Sequence, residues 1–138
     1  MKYRIYLFTV LFFFACSAFS QSKAKDYRTG TTAKVQYGTA SYYADKFNGR
    51  QTANGEIFSQ KKMTGAHNTL PLGTWVRVTN LRNKKTVIVK INDRLHKRNP
   101  RLIDLSKTAA QKLAYTGNGL TKVKVEVLGK NPSELAVK

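Results

Sequence analysis

Leu120-Thr-Lys-Val-Lys-Val-Glu-Val-Leu128 alternates without a break, with Val123, Val125 and Val127 on one face and Lys122, Lys124 and Glu126 on the other. A period of two over this length is the pattern of a half-buried β-strand. The same period recurs upstream. In residues 75–79, Val76 and Val78 oppose Arg77 and Thr79, and in residues 86–91, Val87, Val89 and Ile91 form the inward set. The polar stretch 80–85 is short enough to join these two as a hairpin. Residues 35–43 mix apolar, aromatic and hydroxyl side chains and predict a first strand.

One helix interrupts the strands. Ser106 is a good N-cap, Leu105 can staple against Ala110, and Ala109, Ala110 and Leu113 make a narrow apolar stripe, with Gly117 as the expected stop. Short strands with a small helix point to a mainly β, compact barrel, which leaves few open edges. Periodicity alone does not say which barrel.

The flanks carry different information. Lys2 and Arg4 precede an apolar run over residues 5–15, too short to span a bilayer comfortably, and Ala18-Phe19-Ser20 has the small residues a signal peptidase reads. Residues 1–20 are therefore expected to be a signal peptide, and the protein to be exported to the periplasm or cell envelope. Cys16, the only cysteine, offers a second reading as a lipidation site, in which case the chain would be membrane-anchored. Residues 21–34 read as a flexible tether, 35–129 as the folded domain and 130–138 as a tail.

Without Lys2 and Arg4, 23 of the 25 basic residues remain against 7 acidic ones, a net charge of +16. Such a field draws in polyanions. Nucleic acid is the usual first reading, but export argues against it and for wall polymers; the alternative is that the charge only maintains solubility. Two histidines without HExxH spacing and no cysteine beyond residue 20 give no expected metal or cofactor. The absence of a Gly-Lys-Ser/Thr loop or G-x-S-x-G elbow removes support for nucleotide or serine-esterase chemistry.

Carboxylates are scarce enough to weigh one by one. Asp93 ends the strand carrying Val87, Val89 and Ile91; at a barrel rim, half withdrawn from water, it would hold a proton as a general acid must. Lys90 and Arg94 oppose this unless their side chains point away, and a plain Asn-Asp turn is the alternative. Glu56 follows a loop with Gly49 and Gly55 and could cap a turn or face a ligand. Asp104 lies two residues before Ser106, where it could satisfy free helix N–H groups. His67 precedes a polar turn and could tune a carboxylate or simply be hydrogen-bonded. Tyr42 and Tyr43 are adjacent, so one of them could stack on a sugar.

Six motifs then occur in order: Gly38-Thr-Ala-Ser-Tyr-Tyr43, Thr52-Ala-Asn-Gly-Glu56, Ala66-His-Asn-Thr-Leu-Pro71, Gly73-Thr-Trp-Val-Arg-Val-Thr-Asn80, Ile91-Asn-Asp-Arg94 and Leu102-Ile-Asp-Leu-Ser106. Together they resemble the rare lipoprotein A family of lytic transglycosylases over residues 36–128. The resemblance implies a six-stranded double-psi β-barrel with one or two short helices. It also implies endolytic cleavage between N-acetylmuramic acid and N-acetylglucosamine on peptide-free peptidoglycan strands, leaving anhydro-muramic ends. By this resemblance Asp93 is the acid, with His67 and Glu56 lining its groove. Tyr43, Thr52, Asn92, Arg94 and Asp104 are expected to contact substrate, with Asp104 as the reserve acid. Peptidoglycan strands are the expected partner and the chain is expected to act as a monomer. The runner-up is a non-catalytic, expansin-like glycan-binding or wall-loosening module. Leu95-His96 stands where many family members have Gly-Pro, and Tyr42 where a Trp is common.

Overall fold

The computed structural model describes residues 34–130, so the expected signal peptide, Cys16, nearly all of the tether and all but Lys130 of the tail lie outside the described residues. Six strands, β1 (Val35–Tyr42), β2 (Thr64–His67), β3 (Trp75–Asn80), β4 (Thr86–Arg94), β5 (Ile103–Leu105) and β6 (Thr121–Gly129), close into a barrel in the order β1-β5-β2-β4-β3-β6. Among the described residues one helix, α1 (Lys107–Lys112), and one 3-10 turn (Asp45–Phe47) accompany the barrel. Two parallel pairs, β1–β5 and β2–β4, are set among antiparallel ones, and the barrel is the expected double-psi fold.

The alternating stretches form the wall as read. Val76, Val78, Val89, Ile91, Val123 and Val125 are fully buried, and β3 and β4 form the expected hairpin. Each such side chain contributes about 1.5–3 kcal/mol on leaving water. Ala109, Ala110 and Leu113 close one side of the core together with Tyr115.

Two expectations fail for tertiary reasons. The helix stops at Lys112, not at Gly117: Leu113 caps it and Ala114 takes the left-handed conformation at φ 57°. Leu113 and Tyr115 are both drawn into the core, and the Leu113 carbonyl is captured by the amides of Asn80 at 2.8 Å and Asn83 at 2.9 Å. Asp104 does not serve the helix N-terminus. It lies in β5, and the Ser106 hydroxyl alone accepts from the Ala109 N–H.

Candidate active site

Strand register builds the site. Ser41 of β1 lies beside Asp104 of β5, Asp104 beside Ala66 of β2, and Ala66 beside Asp93 of β4. Asp93 joins this row through a β-bulge. Gly65 pairs with Ile91, yet the next residue, Ala66, pairs with Asp93, so Asn92 is the extra residue. Ile91 points into the core, and strict alternation would send Asp93 after it; the bulge re-aims the carboxylate outward. Asp93 and Asp104 there line a groove of about 500 Å³ with Ser41, Tyr42, Tyr43, Lys46, Phe47 and Arg101 among its walls.

The half-buried Asp93 carboxylate has two unlike oxygens. Oδ1 accepts backbone N–H bonds from Ala53 at 3.0 Å and Arg94 at 2.8 Å. Oδ2 accepts the Tyr43 hydroxyl at 2.6 Å. Burial, then the hydrogen bond to Asp93, push the Tyr43 phenol up, so it remains a neutral donor at physiological pH. Its ring packs on Phe58 at 4.3 Å and edge-on to Phe47 at 5.9 Å.

Both neighbouring cations are engaged elsewhere. Lys90 Nζ lies 2.6 Å from Glu56 Oε1. The Arg94 guanidinium donates to the carbonyls of His67 at 3.0 Å and Leu70 at 2.7 Å. The condition the sequence left open, that these side chains point away from Asp93, is met.

Glu56 is an ionised anchor. It accepts from Lys90, from Asn92 Nδ2 at 3.1 Å and from Asn54 Nδ2 at 2.9 Å, and these bonds hold its carboxyl at about 2. Thr52, buried, places its hydroxyl 2.7 Å from Asn54 Oδ1, and Asn54 N–H reaches the Asn92 carbonyl at 3.2 Å. The 52–56 loop is thus fastened to β4, which is what aims the Ala53 N–H at Asp93. Thr52 and Asn92 belong to this fastening and do not line the groove.

His67 is fully buried and makes no bond to a carboxylate. Its Nδ1 accepts the N–H groups of Thr69 and Leu70, both at 3.0 Å, while Nε2 has no partner among the described residues. Burial foremost, then the charges of Arg94 and Lys34, push it down to about 4, so it is neutral near pH 7. Asp104 takes the Ser41 hydroxyl at 2.6 Å on Oδ1 and Arg101 NH2 at 3.1 Å on Oδ2, with Arg101 Nε 2.9 Å from Oδ1 but out of line for a hydrogen bond. Of the expected site residues, Asp93, Tyr43, Arg94 and Asp104 therefore meet at the groove, and Glu56, Thr52 and Asn92 support it from behind. Ser41, Arg101 and the Ala53 N–H were not anticipated. No group of three metal-ligating side chains occurs among the described residues.

A closed double-psi barrel with one unpaired carboxylate in an open groove defines the class. Residues 35–125 match the lytic transglycolase family, and the chain belongs to that family. It is 46% identical over 110 residues to the endolytic peptidoglycan transglycosylase RlpA of Pasteurella multocida, covering 77% of this chain and 37% of that protein. It is 56% identical over 89 residues to RlpA of Pseudomonas aeruginosa, covering 64% and 26%. The chain thus spans only about a quarter to just over a third of these relatives' length. Among solved structures, the Streptomyces papain inhibitor superposes with a TM-score of 0.56 at 24% identity, over 68% of this chain and 94% of that one. A Clavibacter michiganensis expansin gives 0.56 at 20% identity, over 71% and 52%. At these identities the likeness is one of fold.

Proposed function

We propose that this chain is an exported, monomeric, endolytic peptidoglycan lytic transglycosylase in which Asp93 supplies both proton transfers. The observation that carries the reading is the Asp93 carboxylate in the groove with Lys90 and Arg94 turned away from it. The names of the relatives support the substrate, and the family match supports the reaction class.

Ordinary glycosidases need two carboxyls, one to protonate the leaving oxygen and one to attack or to activate water. Here Asp104 is already paired with Arg101 and Ser41, which leaves one free carboxyl in the groove. A muramic acid residue carries its own nucleophile, the C6 hydroxyl. Protonated Asp93 gives its proton to the glycosidic oxygen as the bond to C1 breaks. The C6 oxygen then bonds to C1, closing the anhydro ring, and its proton passes to the Asp93 carboxylate. The acid is restored and no water is consumed. With Oδ1 held by two N–H donors, the travelling proton belongs on Oδ2, where the Tyr43 hydroxyl fixes its direction. Glu56, Thr52, Asn92 and His67 act as positioning residues behind this pair.

Mass spectrometry of peptide-free glycan strands after incubation tests the reading. Anhydro-muramic ends are expected from the parent chain and none from Asp93→Asn. Strand binding by the parent without new ends would leave the expansin-like module as the better description. Ends that persist in Asp93→Asn would move the acid to another residue, with Asp104 first in line. Lipid anchoring through Cys16 is a separate matter, tested by labelling with a radioactive fatty acid.

A further inference from the structure

We infer that the outward face of β1 is a second glycan-contact site, seating an anionic sugar of the strand whose other end occupies the groove; this rests on the glycan substrate proposed above. Side chains of one strand alternate between faces, and Ala40 points into the core. Ser41, Thr39 and Tyr37 therefore share the outer face. Ser41 lines the groove, and Thr39 lines a separate cavity of about 330 Å³ with Arg82, Leu120, Thr121 and Lys122. Tyr37, the next residue along this face, is 68% exposed. From Ser41 to Tyr37 is about 13 Å at the rise of a β-strand, so a polymer leaving the groove along β1 meets the cavity and then an open aromatic ring.

The chemistry of this face suits a muramyl residue. Arg82 and Lys122 have no acidic partner among the described residues, whereas Lys124, which faces Tyr37 across the β1–β6 ladder, is paired with Glu126 at 3.4 Å. Leu120 is 51% exposed and gives the apolar face of a sugar ring something to cover. The Lys122 ammonium and the backbone that carries Arg82 are held in place. Lys122 Nζ donates to the Thr39 hydroxyl at 2.9 Å, and its carbonyl accepts the Leu81 N–H at 2.9 Å. Asn80 Oδ1 accepts the Arg82 N–H at 3.0 Å, while its amide is fixed to the Leu113 carbonyl. A lactyl carboxylate would lie between Arg82 and Lys122, with its ring over Leu120 and the following sugar on Tyr37.

The test uses peptide-free glycan oligosaccharides sorted by length, with binding measured in the full chain carrying Asp93→Asn so that strands stay intact. Long strands should bind about tenfold more weakly to the Arg82→Ala/Lys122→Ala variant, the loss expected on removing charge-assisted contacts, and several-fold more weakly to Tyr37→Ala. Oligosaccharides short enough to fill only the groove should bind all variants alike. A Lys84→Ala/Lys85→Ala control, which removes the same charge from the β3–β4 turn that carries Arg82, should bind long strands normally. Unchanged long-strand affinity in Arg82→Ala/Lys122→Ala overturns the inference, and so does an equal loss in the control or on short oligosaccharides, which marks the general field. Anhydro-end release by the chain with Asp93 intact is scored separately. Cleavage without length-dependent loss removes the second site and leaves the enzyme; length-dependent loss without cleavage removes the enzyme and leaves the site.

Discussion

Glu56→Gln isolates what the charge behind the groove contributes. In the folded chain three side chains donate to this carboxylate and hold it at about 2, against an ordinary 4.5. That difference corresponds to about 3 kcal/mol if none of it is screened. About a third of the side chain, 32%, is exposed, so solvent reduces the net contribution to about 1 kcal/mol. The sign follows from the depressed value: the stabilisation is complete above pH 4.5 and is lost as the pH falls through about 2. Glutamine keeps the shape and removes the charge. At pH 7, Glu56→Gln should therefore melt about 4–8 °C below the parent, the shift about 1 kcal/mol produces in a domain of this size. The gap should close between pH 4.5 and 2 as the parent's own carboxylate protonates. Thermal unfolding followed by circular dichroism across this range reads both quantities. Coincident melting at pH 7 would refute the anchoring role, and a gap that persists undiminished at pH 2 would show that shape, not charge, was lost.

Other substitutions probe the remaining parts. Tyr43→Phe removes the hydroxyl on Asp93 Oδ2 but keeps the ring on Phe58, so anhydro-end release should fall about 10–100-fold with little change in Tm, as for one charge-assisted hydrogen bond; an unchanged rate would remove Tyr43 from the mechanism. His67→Ala leaves the Thr69 and Leu70 N–H groups without an acceptor and opens a cavity, costing about 2–4 kcal/mol in urea unfolding. Because folded His67 sits at about 4 against an ordinary 6.5, the parent should lose stability as the pH falls from 6.5 toward 4, and this slope should be absent from His67→Ala. A Cβ at Gly38 would meet Leu102 Cβ at 2.7 Å, so Gly38→Ala should cost about 1–3 kcal/mol by denaturant midpoint, and Leu102→Ala should not rescue it fully because alanine keeps that Cβ.

Composition located β1, and period-two reading located β3, β4 and β6, because these three run six to nine residues with alternate side chains buried over most of their length. It passed over β2 and β5, which have four and three residues and are buried throughout. A short strand buried on both faces has no polar side to mark a period. By local pattern Ile103, Asp104 and Leu105 were legible only as the approach to a helix; the motif Leu102-Ile-Asp-Leu-Ser106 is what put Asp104 among the expected groove residues, where the structure has it. The motif resemblance supplied the double-psi topology that periodicity could not, since parallel pairing between strands far apart in sequence leaves no local signature.

The candidate acid was legible for the same reason: carboxylates are rare in this chain, and Asp93 ends a strand whose inner face is unmistakable. What the sequence could not resolve was whether Lys90 and Arg94, three residues before it and one after, would neutralise it. The answer comes from residues distant in the chain. Glu56 takes Lys90, and the carbonyls of His67 and Leu70 take Arg94. The bulge at Asn92 then turns Asp93 out of the core, while Asn92 itself binds Glu56. One loop, residues 52–56, therefore removes a cation, anchors the bulge and supplies an N–H to the carboxylate. Because the Glu56 carboxylate holds Lys90, Asn92 and Asn54 together, loosening that loop should impair the proton transfer proposed for Asp93 even though Glu56 has no direct contact with it.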